Sequence, residues 1–273
     1  MKAILIAALV YVASAASALS GAGHDIALQM VGAGKEGLEL SARLSQEGDL
    51  IQRPIIWSVF SAAGEPVFIG QDDMARVAAA PGDYRVDLEY GAVHLSQNLS
   101  LVAGTRLVVS FVLDAGAIRI LPNIPEIGLP VTLPRASVYA LDGANKGKLV
   151  ARSFQPGEIL NLPNGRYRIE STFENSNVSA STQITVKSGG LSAVEFDHKA
   201  GLARLAYVGA SGAGVVWQLT DAKGKSLDQI EGLAADVVLR SGTYVATAKT
   251  GGETLRAKFI IAAGQSRDII LGN

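Results

Sequence analysis

Along most of this chain apolar and polar residues alternate one by one. Between positions 84 and 90, Tyr84, Val86, Leu88 and Tyr90 fall on one side and Arg85, Asp87 and Glu89 on the other. A period of two places one face of a strand against a core and the other in water. The same alternation returns at Val93, Leu95, Leu99 and Leu101, at Val178, Ala180, Thr182, Ile184 and Val186, and at Leu255, Ala257, Phe259 and Ile261. Gly-containing turns such as Ala62-Ala63-Gly64-Glu65 and Tyr90-Gly91-Ala92 punctuate these runs, as hairpins require. No segment carries a helical period. The pattern predicts an all-β chain.

The strands recur as a set. Pro81-Gly82-Asp83-Tyr84, Pro163-Asn164-Gly165-Arg166-Tyr167 and Arg240-Ser241-Gly242-Thr243-Tyr244 each place a Gly two residues before a Tyr. An aromatic lies upstream at near-constant distance: 27 residues from Trp57 to Tyr84, 28 from Tyr139 to Tyr167 and 27 from Trp217 to Tyr244. A turn glycine lies downstream, 20 residues from Tyr84 to Gly104, 22 from Tyr167 to Gly189 and 20 from Tyr244 to Gly264. This is tandem repetition, with units at 37–115, 116–200 and 201–273. Seven short strands are expected in each: 38–44, 55–61, 66–70, 75–79, 83–90, 93–102 and 105–113 in the first, and the same order in the others, including 225–230 in the third. Seven strands with frequent turns form a β-sandwich, so the fold class is three tandem sandwiches. The alternation puts Trp57, Tyr84, Tyr139, Tyr167, Trp217 and Tyr244 on the apolar side, as the structural core of the repeats.

Residues 19–36 form a Gly-rich lead-in, in which His24–Val31 reads as an added strand. The second unit is longest between its first two strands, where Pro122–Pro134 carries four of the nine prolines. Proline fixes φ and removes a donor, so this stretch is extended, stiff and unsuited to a central strand. Ile124, Ile127, Leu129, Val131 and Leu133 make it more apolar than an ordinary connection. They serve either as a strap buried between units or as an exposed contact for a partner.

The first 18 residues are a short basic start, an apolar run from Ala3 to Val12 and small residues at Ala-x-Ala spacing. This is the pattern of a secretory leader processed after Ala15 or Ala18, because a spanning helix needs ~20 apolar residues. No further segment is apolar enough to insert stably in a membrane. The chain has no cysteine, which excludes a lipid-anchored lipoprotein and suits a bacterial periplasm or cell surface. Net charge is −1, from 24 basic and 25 acidic residues, which offers no pull toward nucleic acid.

Catalytic and ligand motifs are missing. His24, His94 and His198 stand far apart and in no metal-ligand spacing; each reads as a solvated surface histidine. Gly32-Ala33-Gly34-Lys35-Glu36-Gly37 matches a dinucleotide fingerprint, but Leu38–Leu44 alternates as a strand where that site needs a helix. Asp72-Asp73 with Glu65 lacks the loop of a calcium site. No cofactor, metal or enzymatic activity is expected.

Leu162-Pro163-Asn164-Gly165-Arg166-Tyr167-Arg168-Ile169 resembles the L-P-x-G-x-Y-x-V/I signature of carboxypeptidase-regulatory-like domains, the prealbumin-like (transthyretin-like) sandwiches. Val102-Ala103-Gly104 and Ile261-Ala262-Ala263-Gly264 are similar to that family's following turn. Repeat one departs with Pro at position 81, one place late, and repeat three has Arg240 where Pro is expected. The resemblance implies that each Tyr fills the core while its hydroxyl reaches backbone, like a tyrosine corner. It also implies an accessory or scaffolding role. The function expected is therefore a non-enzymatic exported scaffold, periplasmic or at the cell surface, contacting another envelope protein. The alternative is a carbohydrate-binding module for envelope polysaccharide, which would require aromatics on outward faces.

Overall fold

The structure, a computed structural model, describes residues 23–123, 133–209 and 214–272. The leader and most of the proline-rich stretch lie outside these residues. Every regular element among those described is a strand.

The first unit contains β1 (Gly23–Met30), β2 (Gly37–Arg43), β3 (Ile55–Ser61), β4 (Pro66–Asp72), β5 (Ala75–Ala78), β6 (Gly82–Tyr90), β7 (Val93–Leu101) and β8 (Thr105–Val112). They form two sheets in the orders β1-β8-β2-β5 and β4-β3-β6-β7. The second unit contains β9 (Ala115–Asn123), β10 (Arg135–Ala140), β11 (Leu149–Ser153), β12 (Ile159–Pro163), β13 (Gly165–Thr172), β14 (Ser179–Val186) and β15 (Leu191–Asp197). Its sheets run β12-β9-β15 and β11-β10-β13-β14. In the third unit β16 (Ala200–Val208), β17 (Val216–Asp221), β18 (Ile230–Glu231), β19 (Ala234–Arg240), β20 (Gly242–Lys249), β21 (Thr254–Ile261) and β22 (Ser266–Gly272) form β19-β16-β22 and β18-β17-β20-β21.

One plan serves all three. The first and last strands of the shared plan pair in parallel, β2 with β8, β9 with β15 and β16 with β22. Parallel partners need the intervening strands as a crossover, so the chain enters each unit at one end and leaves at the other. The units are thereby placed in series. The added strand β1 lies antiparallel on the outer edge of β8 in the first unit; β15 and β22 carry no equivalent strand among the described residues.

Each unit is held by the inward face of its alternating strands. In the first, Ile55, Trp57 and Val59 of β3 and Tyr84, Val86 and Leu88 of β6 meet Leu38, Leu40, Leu107, Val109 and Phe111 of the facing sheet. The Trp57 and Phe111 rings lie 5.8 Å apart. A buried aromatic removes ~200 Å² from water, worth about 5 kcal/mol at ~25 cal/mol/Å². A small unit without disulfides draws much of its stability from such residues.

Three expectations change. Pro122 does lie in a central strand, at the end of β9, beside Phe196 of β15. It is tolerated because β12 pairs with β9 only as far as Arg119, leaving no antiparallel partner at Pro122. The strand expected at 225–230 shrinks to Ile230–Glu231: ahead of it Ser226 keeps an isolated bridge to Thr220, and the Leu227 carbonyl accepts from the Gln218 side-chain amide in place of a ladder bond. The unit starts also shift. Leu40 pairs with Val109, Ile120 with Val194 and Leu205 with Ile269, so Gly116 and Gly201 are equivalent to each other but stand one position before Gly37.

Candidate functional site: the junctions and the outer sheet faces

The tyrosines set the geometry of each unit. Tyr84, Tyr167 and Tyr244 are buried, and each hydroxyl donates to the carbonyl four residues upstream: Ala80 at 2.6 Å, Pro163 at 2.7 Å and Arg240 at 2.7 Å. Burial, reinforced by the Asp142 carboxylate, pushes the Tyr167 phenol up to about 12. Trp57 and Trp217 are fully buried, and each indole N–H donates to a carbonyl fifteen residues on, Asp72 at 3.1 Å and Gly232 at 2.9 Å.

Tyr139 is a correction. Trp57 pairs with Leu88, Trp217 with Ala248 and Ala136 with Ser171, in each case four residues beyond the unit's tyrosine. The tryptophan position of the second unit is therefore Ala136. Tyr139, three residues further on, lies on the opposite, outward face and is only partly buried. Its counterpart is Phe60, and both rings are covered by the arginine that follows the unit's tyrosine. Arg85 sits 4.6 Å above Phe60 and Arg168 4.6 Å above Tyr139. Such stacking contributes ~0.5–1 kcal/mol at an exposed site. Each arginine also meets a carboxylate two residues on, Asp87 at 3.2 Å and Glu170. Thr220 and Val245 occupy these places in the third unit.

The small size of the units implies that neighbours pack on one another, but the residues that close the junctions were not anticipated from sequence. Between β8 and β9 lie only Leu113 and Asp114, and between β15 and β16 only His198 and Lys199. Asp114 (φ 45°) and Lys199 (φ 46°) are left-handed, a conformation costing a non-glycine residue ~1–3 kcal/mol that surrounding contacts must hold. At the first junction Asn164 N–H donates to the Asp114 carbonyl at 2.8 Å, Leu113 N–H to Arg43 O at 2.9 Å and Ala115 N–H to Leu44 O at 3.0 Å. Ser188 Oγ adds a bond to Leu44 O at 2.9 Å. At the second, Ser241 Oγ donates to the Lys199 carbonyl at 3.1 Å. Gly189 N–H to Ala115 O (2.8 Å) and Gly264 N–H to Ala200 O (2.9 Å) repeat the same closure.

A hairpin tip completes each joint. Ala92 N–H donates to Asn161 O at 3.0 Å and Ala92 packs on the second unit's core. The longer tip between β13 and β14 sends Ser176 Oγ to Val238 O. Asn177 bridges the units: its Oδ1 accepts from Arg240 N–H at 2.9 Å, and its Nδ2 donates to the Tyr244 hydroxyl at 2.8 Å. Phe173, Val178, Ala200, Leu202 and Val238 form a shared apolar cluster between the second and third units. The available sequence signal was the Ala-Gly pair after each left-handed residue, Ala115-Gly116 and Ala200-Gly201. A Cβ on Gly116 would stand 2.2 Å from Lys187 O, and one on Gly201 2.5 Å from Ala262 O.

The remaining sites separate. His94 is exposed, with Nδ1 3.7 Å from Glu89. His24 is partly buried on β1, its ring 6.3 Å from Phe111. His198 is a second correction: it is buried, against Ser171, Phe173 and Phe196 of the second unit at the start of the joint. Asp72 accepts from the N–H of Asp73 and keeps its carbonyl for Trp57. Among the described residues no three His, Asp or Glu side chains converge on a metal site. Ile124, Ile127, Leu129 and Val131 lie outside the described residues; Leu133 is exposed.

A family model described as the Rhizobiales growth-associated tandem repeat domain matches residues 207–271, within the third unit. No curated protein matches the chain. Similar solved structures include the Bacillus anthracis TIE protein, 14% identical with TM-score 0.28, over 86% of this chain and 50% of that one. The chain thus spans about half the length of that protein. A minor pilin of Streptococcus agalactiae is 14% identical with TM-score 0.28, over 57% and 94%. The major pilin subunit of Bacillus cereus is 12% identical with TM-score 0.25, over 86% and 98%.

Proposed function

We propose that this chain is a non-enzymatic, exported scaffold of the bacterial cell envelope, which holds surfaces in a fixed series for contact with another envelope protein. The observation that carries the reading is the linkerless joint. Two residues connect successive units, and both joints are closed by backbone and side-chain hydrogen bonds. Freely linked binding modules would gain from flexible connections; a chain that strains a backbone residue at each joint gains fixed geometry instead.

The partner contact is assigned to Pro122–Pro134. Proline stiffness lowers the ordering entropy of docking, and its aliphatic residues suit an apolar interface. The test is site-specific photocrosslinking in the producing bacterium, with the probe at Leu133 and a control probe at Glu65. A single crosslinked envelope protein at Leu133, absent at Glu65 and lost in Ile124→Ser/Ile127→Ser, supports the reading. A clear fall in melting temperature of the double variant without any crosslink makes the segment a strap between units, and the partner assignment fails. Saccharide binding lost in Tyr139→Ala would replace the scaffold with the carbohydrate-binding alternative.

A further inference from the structure

We propose that the joint between the second and third units is acid-sensitive, opening when the imidazole of His198 takes up a proton, while the joint between the first and second units is not. The two joints supply their own comparison. Leu113 and His198 each lie nine residues beyond the turn glycine, Gly104 or Gly189, directly before the left-handed residue. They are 4% and 5% exposed. One joint therefore has an aliphatic side chain where the other has a titratable one.

The surroundings of His198 suit only the neutral ring. Its edge meets Phe173, with ring centres 5.0 Å apart, and Phe196 lies at 5.7 Å. Nε2 is 2.9 Å from Ser171 Oγ, and Nδ1 has no hydrogen-bond partner. Space for the ring comes from the small pair Ala136 and Ser171, which stands where Trp57 and Leu88 stand in the first unit. A proton would place a charge among two phenylalanines, with Nδ1 unbonded and the Phe196 carbonyl as the backbone group that favours the charged form. Burying a charge so poorly partnered is expensive.

The charged groups on the surrounding elements do not remedy this. On β15, Asp197 favours the charged ring, but its carboxylate already accepts from Lys199 N–H, and Glu195 is exposed. On β13, Glu170 pairs with Arg168 on the outward face. At the hairpin tip Glu174 pairs with Arg135. Lys199 and, from the third unit, Arg240 add only positive charge. Burial outweighs both Asp197 and the Phe196 carbonyl, which favour the charged ring, and holds the imidazole below its ordinary range.

The direction of the pH effect follows. A solvated histidine binds its proton near pH ~6.5, and the buried one binds it only at lower pH. The closed joint is fully stable above that value and loses stability as pH falls below it, by up to ~tenfold in the closed-to-open ratio per pH unit. Phe173 touches His198 and also belongs to the cluster with Ala200, Leu202 and Val238. Parting the third unit from the second is thus the shortest way to give the ring water.

The chain has no cysteine, so introduced pairs can be labelled without background. Distances between spin labels at Lys146→Cys and Lys223→Cys report the second joint, and Glu65→Cys with Lys146→Cys reports the first. Between pH 7.5 and 5, the first pair is expected to broaden and lengthen reversibly and the second to stay sharp. His198→Leu should abolish the change, and Leu113→His should confer it on the first joint. Carbon-detected titration of the three histidines in the parent chain provides a check independent of any variant. The proposal is overturned if His198 titrates at or above its ordinary range, if it titrates while the distances stay fixed, or if His198→Leu still opens.

Discussion

Deleting one oxygen, Tyr244→Phe, tests how the units are fastened. At Tyr84 and Tyr167 the hydroxyl makes one bond, to the carbonyl four residues upstream. A net hydrogen bond contributes ~1 kcal/mol, and stranding its buried partner raises the loss to ~1–3 kcal/mol. Tyr244 makes the same bond but also accepts from Asn177 of the preceding unit. Tyr244→Phe should therefore cost about 1 kcal/mol more than Tyr84→Phe, by the same per-bond value. Asn177→Ala removes that bond and the one from Arg240 N–H, for about 1–3 kcal/mol. Because the two substitutions remove one shared bond, the double variant should fall short of their sum by about 1 kcal/mol, beyond the ~0.3–0.5 kcal/mol scatter of independent sites. Three units in series need not unfold as one, so a local probe is required. A Trp57→Phe background leaves Trp217, in the core of the third unit, as the sole tryptophan. Its fluorescence during urea unfolding then reports that unit, and the reverse background, Trp217→Phe, leaves Trp57 to report Tyr84→Phe in the first. Additivity of Tyr244→Phe and Asn177→Ala, or equal costs at Tyr84 and Tyr244, would refute the idea that Asn177 fastens the two units.

Tyr167→Ala should cost ~3–5 kcal/mol in chemical denaturation, as for other buried aromatics; a variant as stable as the parent would contradict its core role. The raised Tyr167 phenol predicts alkaline loss of stability. The unfolded side chain ionises near pH ~10 and the folded one at about 12, so stability falls across that interval, and a pH series should show the fall reduced in Tyr167→Phe. Gly201→Ala should lower the melting temperature by the equivalent of ~1–3 kcal/mol, the range for overpacking, whereas Gly214→Ala, with open space around its Cβ, should be near neutral. Sequencing the mature amino terminus should give Ala16 or Leu19; retained Met1 on a cytoplasmic protein would remove the export assignment.

The strands and the tyrosine corners were readable because both are written within a few residues: alternation names the buried face, and the Gly-x-Tyr step positions the hydroxyl. Tyr139 shows where spacing misleads. It lies 28 residues from its tyrosine, close to the 27 of Trp57, but a strand reverses face at every residue. The true counterpart is Ala136, whose small side chain sends no sequence signal. His198 was misread for another reason. Asp197-His198-Lys199 is a polar run, and nothing local reveals that Ser171, Phe173 and Phe196 enclose its middle residue. The joints as a whole share this character, since Asn177, Ser188 and Ser241 act on residues 42 to 144 positions away.

The brevity of the joints also bears on how the chain meets proteases. Cleavage needs a stretch of backbone that can leave its hydrogen bonds and extend into an active site. Between β8 and β9, and again between β15 and β16, there is no such stretch: Leu113, Ala115 and Lys199 all donate, and Asp114 and Lys199 also accept. Limited digestion would find no cut that liberates an intact sandwich at either joint. A protease that turns this protein over must unfold a neighbouring unit to sever it there, so its lifetime at those points is set by unfolding and not by exposure.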